Sequence, residues 1–233
     1  MALKDTWSKA LWWTKRIVLF FLIASLLSVI IFRFVPIPFT PLMVVRAAEQ
    51  LIEGKDIILK KDWKSLEEIS PHLPLAVMAS EDQLFLEHFG FDFKSMQKAF
   101  ENNSKKSKRI KGASTISQQV AKNVFLWQGR SYFRKALEAY FTLLIEIFWS
   151  KERIMEVYLN VAEMGNGIYG AEACTRKYFF KSAQSLTRPQ SALIAAVLPN
   201  PRRWNPAKPT GYINQRKNWI VRNMNNLGAI AWQ

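Results

Sequence analysis

Cysteine is almost missing from this chain: Cys174 stands alone among 233 residues. A single thiol excludes an intramolecular disulfide and says little about redox compartment. Its small apolar neighbours in AEACTRKYF make a buried, inert thiol the expectation. Histidine is nearly as scarce. His72 and His88 are isolated and the acids have no ligand spacing, so no dedicated metal site is expected. Period-two runs are few, which argues against a β-rich domain. Ten prolines and nine glycines are too few for a low-complexity chain, and no internal repeat is visible. Acids are outnumbered 18 to 33 by lysine and arginine, giving a formal net charge of +15.

That excess points to an anionic partner: nucleic acid, acidic lipid or a phosphorylated substrate. Residues 1–35 hold Lys4, Lys9, Lys15, Arg16 and Arg33 against Asp5. Most of the charge therefore belongs to residues 36–233.

One long apolar run is present. Residues 17–35 read IVLFFLIASLLSVIIFRFV, with Arg33 as the only charge. Nineteen helical residues span about 28 Å, close to the ~30 Å hydrocarbon core of a bilayer. Trp12 and Trp13 precede the run, and Pro36, Pro38 and Pro41 come after it. The run has no small-residue cleavage site at its end, so an uncleaved anchor is expected rather than a signal peptide. Lys4, Lys9, Lys15 and Arg16 lie before the span. The positive-inside rule then keeps residues 1–16 cytoplasmic and places the rest outside the inner membrane. Residues 36–62 read as a membrane-proximal linker and 63–233 as the globular domain.

Within that domain the spacing predicts helices. Leu75 to Leu86 has no breaker, so Glu81 and Phe85 would share a face, with the carboxylate beside apolar side chains at a cleft edge. In 131–149, Phe133, Leu137, Phe141, Leu144 and Phe148 recur at three and four. Ser150 is expected to cap the next helix, with Glu152 in its first turn. Gln190 to Leu198 is a further apolar helix. Ser104 to Lys111, SKKSKRIK, reads as a mobile basic loop. Gly165, Gly167 and Gly170 spell GxGxxG, but a helical pattern precedes them and Gln190 stands near the acid position. Flexible turn glycines, not a nucleotide site, are expected.

Two stretches carry candidate chemistry. EDQLFLEHFG, residues 81–90, places Glu81, Asp82 and His88 together. GASTISQQVAKN, residues 112–123, gathers Ser114, Thr115, Ser117, Gln118 and Gln119 before Lys122 and Asn123. Such donors and acceptors suit a sugar or phosphate surface. Ser114 would also serve as a helix cap. Arg130, Arg134 and Lys135 then approach a second acid, Glu138, on one charged helix face.

These motifs, with RKALE (134–138) and KERIMEVYLN (151–160), occur in the order found in the family 51 glycosyltransferases, the peptidoglycan polymerases. GIYGAEACTRKYFFK and LIAAVLPNPRRWNP add to the similarity, which covers roughly residues 60–206. The chain resembles the monofunctional form, without a penicillin-binding domain. Two departures stand out: Ser117 replaces the usual threonine, and Phe180 the glycine of the family's YFGK.

The resemblance implies a mainly α, lysozyme-like helical domain with a smaller mobile membrane-proximal lobe. It implies polymerisation of lipid II, with Glu81 as base at the acceptor 4-hydroxyl and undecaprenyl pyrophosphate as leaving group. Lys122, Arg130 and Lys135 match positions that contact the lipid phosphates, and Glu138 matches the second acid. Asp82, His88, Ser114, Thr115, Gln118, Gln119, Asn123 and Arg134 complete the expected substrate-binding set. No cofactor is required; a divalent cation, magnesium or manganese, could assist at the pyrophosphate. The expected partners are lipid II, the growing glycan and the membrane, not nucleic acid. The aromatic run Phe89, Phe91, Phe93 and Phe100 resembles the family's membrane-dipping region, and fits a core helix equally well. The rival readings are a lytic glycan-cleaving enzyme and a non-catalytic lipid II-binding module.

Overall fold

A computed structural model describes residues 2–97, 101, 114–129 and 131–232. The chain divides into two compact units, residues 1–36 and 37–233. The first is dominated by α1 (Ala2–Phe34). Its stretch Leu11–Phe34, 24 residues, is long and apolar enough to cross a membrane, and Arg16 lies over the Trp12 ring at 3.6 Å.

The second unit is mainly helical: α2 (Pro41–Ile52), α3 (His72–Glu81), α4 (Ile116–Phe125), α5 (Tyr132–Phe148), α6 (Lys151–Val161), α7 (Ala171–Phe179), α8 (Arg188–Val197) and α9 (Gly211–Leu227). The strands β1 (Lys60–Lys61), β2 (Glu163–Gly165) and β3 (Ile168–Tyr169) form one small sheet of order β1-β3-β2. β1 runs parallel to β3, pairing Lys60 with Ile168. β2 runs antiparallel to β3, pairing Glu163 with Tyr169. Residues 37–62, expected from the sequence to be a linker, thus belong to this unit: α2 packs on α4, and β1 joins the sheet.

Local chemistry explains most boundaries. Ser131 caps α5 by accepting from the Arg134 amide, and Ser150 caps α6 by accepting from Arg153, as their place before each apolar run predicts. Thr40 caps α2, with Pro41 in the first turn, where its missing N–H costs nothing. The core forms where α3, α8 and α9 meet, through side chains such as Val77, Ile194, Ile220 and Met224. A second layer joins α4 to α5 and α6, with the Phe125 and Phe141 rings stacked at 4.5 Å.

The fold corrects two further expectations. α3 begins three residues earlier than Leu75 and stops at Glu81, so Glu81 and Phe85 do not share a helical face. Asp82 ends it in a non-helical conformation, φ −161° and ψ 82°. The glycines of 165–170 are confined rather than flexible. A Cβ on Gly167, at φ +67°, would lie 2.2 Å from the Ile58 carbonyl oxygen, and one on Gly165 would lie 2.3 Å from the Tyr178 hydroxyl. They let the β2–β3 turn seat against its neighbours, and a helix precedes them. The basic loop 104–111 and Phe100 lie outside the described residues.

Candidate active site

Glu81 is the last residue of α3. Its position is set by the residue after it. Asp82 is buried; its Oδ1 accepts from His88 Nε2 at 2.8 Å and its Oδ2 from the Ile116 amide at 3.0 Å. A carboxylate is favourable at the start of α4, where free N–H groups and the helix dipole converge. Thr115, the cap of α4, donates to the Gly90 carbonyl at 2.7 Å. Gly90 has φ +78°, and a Cβ there would lie 2.7 Å from Thr142 Cγ2, so the 82–90 turn closes only with glycine. Behind it, Glu146 accepts from Ser117 and from Lys151 (2.8 Å), and Lys151 donates to the His88 carbonyl at 2.7 Å. The end of α3 is thereby fixed to the start of α4.

That junction brings Glu81 against polar groups, not the apolar ones expected. Gln119 Nε2 donates to Glu81 Oε2 at 3.2 Å, and Ser80 Oγ donates to Oε1 at 3.2 Å. Arg216, on α9, donates to Ser80 Oγ at 3.0 Å and stands 3.6 Å from Glu81 Oε1. The Tyr158 hydroxyl donates to Gln119 Oε1 at 3.4 Å, turning the Gln119 amide nitrogen toward the carboxylate. Burial pushes the Tyr158 phenol well above its usual range, and the charges of Glu81 and Asp82 add to this; it stays a donor.

One helical turn beyond Gln119 comes Lys122. The two line a cavity of about 160 Å³ together with Asn123 and Tyr158. Burial draws the Lys122 ammonium below the ordinary lysine range; Glu138 opposes this, while Arg134 and Lys135 add to it. Among the described residues no hydrogen bond or ion pair reaches its nitrogen, which leaves it available to an anion. Glu138 is buried and holds two further cations, accepting from Arg134 at 2.7 Å and from Lys135. It is a clamp for cations. Ser131, Arg134 and Lys135 line a second recess of about 410 Å³.

The expected residues thus separate. Glu81, Gln119, Lys122 and Asn123 share the α3–α4 junction, and Glu138, Arg134 and Lys135 stand within electrostatic reach of Lys122. Asp82, His88, Thr115 and Gln118 turn inward. Gln118 closes a reciprocal cap with Thr115, which corrects the expectation that Ser114 caps the helix; Ser114 is exposed and uncommitted to that role. Arg130 lies outside the described residues. Tyr158 and Arg216 join the site beyond the residues expected from the sequence. Arg216 had a readable signal: it stands at the spacing of Ile213, Ile220 and Met224, the buried stripe of α9, where an arginine requires a partner. Among the described residues no group of three or more His, Cys, Asp or Glu is placed to hold a metal.

Comparison with known proteins shows the family. Residues 50–225 match the Transglycosylase family model. A biosynthetic peptidoglycan transglycosylase of Bacteroides thetaiotaomicron is 54% identical over 217 residues, 93% of this chain and 87% of the relative. Proteins of the same description from Haemophilus influenzae (51% over 222 residues, 94% and 90%) and Pseudomonas fluorescens (51% over 221 residues, 95% and 89%) are similar throughout. On a match that spans most of its length, the chain belongs to the transglycosylase family.

Proposed function

We propose that this protein is a membrane-anchored peptidoglycan glycosyltransferase that polymerises lipid II into glycan strands. The observation that supports it best is the α4 face: Gln119 holds the Glu81 carboxylate, and Lys122, one turn on, is a half-buried cation without a fixed partner among the described residues. In this reading Glu81 takes the proton from the acceptor 4-hydroxyl as its oxygen attacks the anomeric carbon of the lipid-linked growing chain, with inversion. A positioned base of this kind contributes about 10²–10⁴-fold. Undecaprenyl pyrophosphate departs without need of a strong acid. It needs positive charge where negative charge develops, which Lys122, Arg134 and Lys135 supply, with Glu138 orienting the last two. Arg130 extends this set by family position. A divalent cation would act at the pyrophosphate itself. The apolar α1 helix anchors the domain, with residues 1–16 cytoplasmic and the domain periplasmic. A basic surface there is attracted to both lipid headgroups and pyrophosphate.

A lytic enzyme uses a protonated acid at the glycosidic oxygen and has no use for a cation cluster beside it. The deciding experiment incubates the full chain with lipid II and follows polymer, with purified glycan as the alternative substrate. Polymer from lipid II and no fragments from glycan is expected. Glu81→Gln should retain lipid II binding and lose polymer; polymer at the wild-type rate from that variant would remove Glu81 from its role.

A further inference from the structure

The cavity beside Lys122 has a far wall that the proposed mechanism does not use. Arg46 of α2, Gln128 and Glu163 of β2 line it. Arg46 precedes residue 50, where the family match begins. The Glu163 side chain is only 8% exposed, and its Oε1 is a buried acceptor without a hydrogen-bond partner among the described residues. Arg46 Nε stands 3.4 Å from Glu163 Oε2, yet among the described residues neither it nor the buried Tyr169 hydroxyl, cross-strand from Glu163, finds a hydrogen bond. Three orphaned polar atoms in one cluster are unusual, because buried polar groups are nearly always paired. Something that both accepts and donates belongs beside them.

Charge narrows what it is. A phosphate would meet the Glu163 carboxylate, and a bare cation would meet Arg46 and Lys122. A neutral group with one donor and one acceptor fits both signs. The remaining wall is apolar, from Leu42, Ala162, Leu198 and Pro201. At about 30 Å³ per water in the liquid, 160 Å³ admits roughly five waters, or one small substituent of a sugar.

We propose that this cavity receives the acetamido group of an N-acetylated sugar of the substrate, with Glu163 accepting its N–H. The amide oxygen takes hydrogen bonds from Arg46, Asn123 or Gln128, and the methyl lies on the apolar wall. This rests on the reading that the substrate is a lipid-linked amino sugar, and adds to it a specificity determinant built partly from α2. Ordered water alone is the competing occupant.

The test uses the full chain in detergent with lipid II and two analogues, each carrying an acetoxy group in place of the acetamido group on one sugar. The change removes the N–H and keeps the carbonyl and methyl. For wild type, one analogue should lose about ten- to hundredfold in kcat/KM, the usual effect of stranding a buried charged acceptor. In Glu163→Ala no acceptor is left to strand, so the same analogue and lipid II should be used equally, and turnover of either reports an intact fold. Glu163→Gln, isosteric and still an acceptor, should keep a reduced, severalfold preference and serves if the alanine variant fails to fold. Equal use of lipid II and both analogues by wild type would mean water only and overturn the inference, as would a preference that survives Glu163→Ala. No polymer from lipid II with wild type would instead overturn the proposed function.

Discussion

Replacing Phe180 by glycine should make the protein more stable. Phe180 caps the C-terminus of α7 at φ 57° and ψ 35°, the only non-glycine residue at positive φ among the described residues. A Cβ in that conformation costs about 1–2 kcal/mol, and glycine is the usual occupant of such a cap. The ring is 91% exposed, so removing it surrenders little burial. Against the relief stands the greater freedom of glycine in the unfolded chain, about 0.4–1 kcal/mol. A net gain of about 0.5–1 kcal/mol remains, which for a domain of this size is roughly 1–4 °C in Tm. Thermal unfolding of the detergent-solubilised chain, followed by circular dichroism, measures it. Phe180→Ala is the control: it keeps the Cβ and should stay within about 0.5 kcal/mol of wild type. A glycine variant less stable than wild type, or an alanine variant that gains as much, would refute the backbone account.

The site and its supports give four other outcomes. Arg216→Ala removes a charged contact from Glu81 and Ser80 and should lower kcat for polymerisation about ten- to hundredfold, with lipid II binding largely kept. Lys122 is a cation only below its folded pKa, and burial lowers that value. Polymerisation should therefore fall on the alkaline side earlier than an ordinary lysine allows, and Lys122→Arg should move that limb to higher pH. Lys151→Met strands the buried Glu146 and should cost about 3–5 kcal/mol, read as a large drop in Tm. Burial pushes the Cys174 thiol up to about 12, so a thiol reagent at pH 8 should label it only after the protein is unfolded.

What could be read in advance depends on the range of the forces. α5 and α6 were legible because their apolar spacing and serine caps lie within a few residues of one another. The end of α3 was not. Nothing between Leu75 and Leu86 breaks a helix locally; Asp82 leaves it because its carboxylate finds the Ile116 amide 34 positions along the chain. His88 and Gln118 are held by nearer partners: His88 bonds Asp82 six residues back, and Gln118 closes the cap with Thr115 three residues back. α9 is hard to read because polar residues dilute its apolar stripe, and Arg216 lies on that stripe. Glu163 stands two residues before a glycine pattern whose resemblance to a nucleotide motif points to other chemistry.

Gln119 and Lys122 are three residues apart on α4, about 4.5 Å along its axis. In the proposed reaction one steadies the group that activates the incoming oxygen and the other receives the departing diphosphate. A single rigid rod therefore acts as a gauge, and no loop movement can lengthen or shorten the interval it sets. Substrates would be sorted by reach as well as by composition, and each finished linkage must be carried bodily forward before the rod can measure the next.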